Sequence, residues 1–126
     1  MTTKTDGKWS AQENAGHLLD VEPLWLARVD DYLSHHDKLT AADLTNRRTT
    51  DANHNAHSLE QILADFRAAR DTLMTRVAAL DPSSYAAIPH PRMGSPMTLS
   101  DHLHFVAEHD DHHLTRIWSL CLPTTP

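Results

Sequence analysis

Histidine accounts for 11 of the 126 residues, and five of these, His102, His104, His109, His112 and His113, crowd between Asp101 and Leu114. Imidazole is the commonest protein metal ligand and titrates near neutral pH. His109 and His113 are four apart, so on a helix they project from one face, one turn apart. Such a pair can hold two positions of a divalent ion, and a third ligand must then come from a neighbouring element. His17 is the best candidate, because it flanks an apolar stripe shortly after a strong helix start. Taken alone, an i,i+4 histidine pair is more often part of a solvated helix face, and a lone partly buried histidine more often just meets a carbonyl.

Other residues could act beside these three. With about 100° per residue counted from Leu99, His109 falls near 280°, His113 near 320° and Asp110 near 20°, where the apolar direction is about 0°. Asp110 therefore sits amid the buried stripe, which is costly for a carboxylate without a partner. It is a candidate to accept from a metal-bound imidazole and orient it. His90 and Arg92, in a proline-rich segment, are candidates to orient an anionic substrate, with Arg92 as a carboxylate fork. Asn53 and His54 are weaker candidates of that kind. His35, His36, His102, His104 and His112 read as solvated. Trp9, Trp25 and Trp118 read as core. Cys121, near a helix C-terminus, reads as inert packing.

Three long helices must position these groups. Ser10-Ala-Gln-Glu13 and Ser58-Leu-Glu-Gln61 fit a capping box, and Thr98-Leu-Ser-Asp101 is a version with a shorter acid. After Ser10, Leu18, Val21, Trp25, Val29 and Tyr32 recur three or four apart, which makes one helical stripe. Leu19, Leu26 and Leu33 widen it. Pro23 predicts a kink, because the stripe resumes beyond it in phase. A second helix is predicted from about Ser58 to Leu80 and a third from about Thr98 to Cys121, with Pro123 just past its end. Thr40-Ala-Ala-Asp43 could open a short turn. Nothing alternates with period two. The expectation is one all-α domain over residues 1–126, with residues 1–7 disordered or extended and 122–126 a tail. The two long connections, Asp37 to His57 and Asp81 to Met97, permit a crossover between parallel helices.

Composition narrows the function. Formal charge is −6 at neutral pH, which argues against a face that tracks nucleic-acid phosphates. No apolar run reaches the ~20 residues of a membrane span. A lone cysteine and a polar N-terminus point to a reducing cytoplasm.

Trp9-Ser10-x-x-Glu13-x-x-x-His17-Leu18-x-Asp20-x-Glu22, with Glu108-His109-Asp110-x-x-His113-Leu114 late in the chain, resembles the DinB/YfiT-like superfamily. The resemblance covers roughly Lys8 to Leu120. It implies a helical bundle in which His17, His109 and His113 bind one divalent metal, zinc or nickel, with coordination positions left open. It further implies a metal-dependent hydrolase, or an S-transferase that uses a low-molecular-weight thiol such as bacillithiol or mycothiol, acting on a small-molecule substrate. The alternative is a non-catalytic metal-binding or dimeric bundle of the stress response. Relatives carry a further helix before the Trp-Ser start. Its apparent absence predicts an open apolar face, including Leu19, Leu26 and Leu33, that a homodimer would cover.

Overall fold

The computed structural model describes residues 1–123; residues 124–126 of the expected tail lie outside the described residues. Helix α1 spans Ala11–Asp20 and α2 spans Glu22–Leu33. A short helix, α3, covers Arg47–Ala52. The two long helices α4 and α5 span Leu59–Ala78 and Leu99–Cys121. Ahead of α5, β1 (Ile88–Pro89) and β2 (Pro96–Met97) pair antiparallel, with Ile88 opposite Met97.

The helix starts follow their capping chemistry. Ser10 accepts from the Glu13 amide while the Glu13 carboxylate accepts from the Ser10 amide, a complete box. Thr98 and Asp101 close an equally complete box, shorter acid notwithstanding. At α4 only half forms: Ser58 accepts from the Gln61 amide, but the Gln61 side chain turns to Asp65. No helix opens at Thr40. Its amide and hydroxyl donate to Asp31 instead, and α3 starts later, after left-handed Asn46.

Pro23 acts as a kink, as its position predicts. It sits in the first turn of α2, where a missing N–H breaks no bond. The Val21 amide still donates to the His17 carbonyl, and the Trp25 amide to the Val21 carbonyl. So α1 and α2 form one bent rod.

Cross-helix contacts fix the topology. Tyr32 donates to the carbonyls of Met97 and Thr98 at the start of α5, and Asn14 meets His113 further along it. The rod and α5 are therefore antiparallel. Glu22 pairs with Arg70 and Asp30 with Arg76, so α4 runs parallel to the rod. The segment between Ser34 and Ser58 is the crossover that this requires. The core packs Trp25, Val29 and Tyr32 against Leu73, Leu99 and Val106, with Leu39 and Ile88 from the connections.

Several placements correct the sequence reading. The N-terminus folds back: Thr5 bridges Lys8, and Gln12 donates to the Met1 carbonyl. His102 is not solvated but fully buried beside Trp25 and Tyr32. Trp118 is not core; it is 70% exposed, along with Leu114 and Leu122 one turn to either side. Cys121 is exposed rather than packed. Leu19, Leu26 and Leu33 are all half-buried rather than an open face. Among the described residues no helix is long and apolar enough to cross a membrane.

Candidate metal centre

The antiparallel packing of α1 on α5 brings His17 against His109 and His113. One ligand atom from each lies within 4.8 Å of the others. The ring centroids of His17 are 5.2 Å from His109 and 4.6 Å from His113, and those of His109 and His113 are 4.6 Å apart. His17 and His109 face each other through Nε2 at 3.3 Å. Two ligands on a tetrahedral ion with bonds of about 2.0–2.1 Å stand about 3.4 Å apart, so this spacing fits a shared ion.

The outer hydrogen bonds decide which nitrogens are free. The Thr49 hydroxyl donates to Asp20 Oδ2 at 2.9 Å. Its oxygen is then left to accept, and the His17 Nδ1–H donates to it at 3.1 Å. Asn14 donates its amide to the Ser10 carbonyl, which turns its oxygen to accept from His113 Nδ1–H at 2.8 Å. Both rings therefore keep Nε2 unprotonated and pointed inward. His109 Nδ1 is buried without a partner. Three converging imidazoles form a donor set that suits a divalent ion.

Burial also sets their charge. Desolvation, followed by repulsion from neighbouring rings, holds His17 down to about 4 and His113 to about 3, and desolvation lowers His109 as well. All three are neutral at physiological pH, the form that ligates.

A second tier stands behind His17. His54 Nε2 lies 2.7 Å from Asp20 Oδ2, with both side chains nearly buried. This arrangement needs glycine at position 16, because a Cβ there would lie 2.2 Å from the His54 ring. Trp9 covers the outside of the cluster, its ring 4.8 Å from His17 and 6.2 Å from His113.

A cavity of about 550 Å³ opens on the inner side, lined by His17 and His109 at one end. Val21, Leu24, Trp25 and Phe105 form an apolar wall, and His90, Arg28 and Arg92 lie further along. His90 is buried, and its Nδ1 accepts from the amides of Arg92 and Met93. Its proton is thereby placed on Nε2, which makes it a donor. Burial and the nearby Arg28 and Arg92 charges depress its pKa. Arg92 is exposed at the rim.

A family model described as the DinB superfamily matches residues 1–117. The chain belongs to the DinB superfamily. Comparison with curated proteins and with solved structures finds no match. The trio that this DinB-superfamily chain brings together is the one its sequence marks: His17, His109 and His113.

Asp110 does not orient an imidazole. It takes both terminal nitrogens of Arg70, at 2.7 and 3.1 Å, and Arg70 also grips the buried Glu22. The carboxylate in the stripe is thus paired with α4, and it ties α2, α4 and α5 together. His54 does not face substrate but sits behind His17. Asn53 is an exposed left-handed residue between α3 and the following turn. Sequence reasoning missed Asn14 and Thr49 as partners of the ligands. Asn14 lies one helical turn before His17, a signal that was present; Thr49 comes from the six-residue helix α3, too short for a periodicity that could point to it.

Proposed function

We propose that this protein is a divalent-metal-dependent enzyme acting on a small molecule, either as a hydrolase or as an S-transferase with a low-molecular-weight thiol. The observation that carries this reading is that three neutral imidazoles converge and two of them, His17 and His109, border a cavity with an apolar wall. A three-histidine set leaves coordination positions free, as catalytic rather than structural sites do. Zinc or nickel bound there supplies Lewis acidity, which activates water or a thiol for attack.

The chain's own residues do the rest. Thr49 and Asn14 fix the tautomers of His17 and His113, so ligand geometry is set before substrate arrives. Trp9 shuts off the outer side of the cluster, and substrate enters from the cavity. His90 offers a neutral N–H donor on the cavity wall. Cys121, exposed at the far end of α5, is no nucleophile for this site. We place the reaction in the cytoplasm, supported by the single unpaired cysteine. We also propose a homodimer, supported by the exposed face of Leu114, Trp118 and Leu122.

The test is a panel of electrophiles with several small thiols and with water alone. It is run on metal-loaded protein, chelated protein and His109→Ala, after elemental analysis of protein purified without added metal. Turnover confined to the loaded protein supports the reading. Equal rates in all three refute it in favour of a non-catalytic metal-binding bundle.

A further inference from the structure

Arg28, midway along α2, is only 2% exposed. Its Nε donates to the Thr40 carbonyl at 2.9 Å. Its guanidinium lies 5.7 Å from the centroid of the Trp25 ring and 5.9 Å from that of Phe105. Among the described residues it forms no ion pair, and its two terminal nitrogens have no acceptor, although the side chain lines the cavity. Asp31, the nearest acid on the same helix, is taken up by Thr40 and His36.

The contrast with Arg70 is informative. That arginine is also half-enclosed by the bundle, and it is gripped by two carboxylates, Glu22 and Asp110. Its charge is stabilised. Burial instead pushes the pKa of Arg28 down, against a weaker pull from the Asp31 carboxylate, with which it forms no ion pair. A buried guanidinium without a carboxylate is costly. One whose free nitrogens face a cavity can be completed by a ligand that brings the carboxylate with it. A planar fork with two unpaired nitrogens matches a carboxylate bidentately.

We propose that the cavity binds a monocarboxylate with an apolar or aromatic body, its carboxylate forked on Arg28. The body lies along Trp25, Phe105 and Leu24. Trp25 is 5.1 Å from the His109 ring and 5.7 Å from the Arg28 guanidinium, so one small molecule can reach from fork to imidazoles. Only the identity of the reacting end, the one at His17 and His109, rests on the metal-dependent reading above. Arg92, exposed at the rim, is not the fork.

The experiment is calorimetric titration of the whole protein, metal-free and zinc-loaded, with 2-naphthoate and with its neutral isostere 2-naphthamide. The acid is expected to bind at least about tenfold more tightly than the amide, in both forms of the protein. Arg28→Gln should lose about tenfold or more of the affinity for the acid, leave the amide unchanged and still take up zinc. Arg28→Lys keeps the charge and the stem; it should keep a preference for the acid at reduced affinity, which separates loss of the fork from loss of the fold. Arg92→Gln should change little. The proposal is overturned by no binding of 2-naphthoate, by equal binding of acid and amide, by parallel loss of both in Arg28→Gln, or by loss in Arg92→Gln instead. A protein that selects the acid through Arg28 but takes up no zinc refutes the metal-dependent reading and supports this one.

Discussion

Mild acid should strongly destabilise the metal-free protein, and the buried imidazoles set the size of the effect. His17 and His102 are each held down to about 4, and His113 to about 3, chiefly by desolvation. In the unfolded chain each returns to about 6.5. Between these values the unfolded state binds more protons, so stability is full above about pH 6.5 and falls as pH drops toward the folded value. At about pH 5 each of the three has withdrawn about 2 kcal/mol, or about 6 kcal/mol together. Glu22, whose carboxyl burial raises, works in the opposite sense and offsets part of this. The depressed carboxylates of Glu13 and Asp101 act only at lower pH. A domain holds about 5–15 kcal/mol in all, so the loss is a large share. Urea unfolding followed by circular dichroism, at about pH 7.5 and pH 5, should show the midpoint falling by roughly 2 M or more. Zinc at a hundred times its dissociation constant should add about 2.7 kcal/mol at the higher pH. An unchanged midpoint between the two pH values would mean that the rings are solvated in the folded state, and the closed cluster described above would be wrong.

His113→Ala should abolish zinc uptake yet keep most of the helix content, since the core around Trp25, Val29 and Leu99 lies elsewhere; loss of the helical circular dichroism signal would make the metal structural. Gly16→Ala should displace His54 and, through Asp20 and Thr49, weaken zinc affinity about 10–100-fold in a chelator competition; wild-type affinity would show that this tier orients nothing. Arg70→Met should cost about 3–5 kcal/mol in urea unfolding by stranding Glu22 and Asp110, and a change below about 1 kcal/mol would contradict the pairing. Light scattering should find a dimer at micromolar concentration that Trp118→Asp dissociates; a wild-type monomer near 14.2 kDa would refute it.

Much of the frame was legible because local chemistry and global packing agree. The capping boxes at Ser10 and Thr98 place α1 and α5 to the residue, and the stripe through Trp25 and Tyr32 is the core. The three ligands were legible for the same reason, as positions on the inner edges of two periodic helices. His102 should have been read with them: at about 300° from Leu99 it lies between His109 and His113 on the same face. Trp118, at about 100°, points away from that row, so its angle outweighs its apolar character. Asp110 was misassigned because its true partner is 40 residues away on another helix, and no local pattern reveals which cation will answer a buried carboxylate. Thr49 and Arg28 owe their roles to a crossover path and to what is missing around a side chain, and neither leaves a periodic trace.

The antiparallel seating of α1 on α5 also bears on the order of folding. His17 and His109 are 92 positions apart. Closing so long a loop early is entropically costly, whereas the rod meets α4 across a shorter separation, Glu22 and Arg70 being 48 positions apart, and these can dock first. The imidazole cluster is therefore completed late, when α5 closes over the rod and α4. A metal ion cannot template such a fold; it can only latch it. Stopped-flow kinetics should accordingly show zinc slowing unfolding while leaving the folding rate nearly unchanged, so that the metal's contribution is to residence in the native state rather than to reaching it.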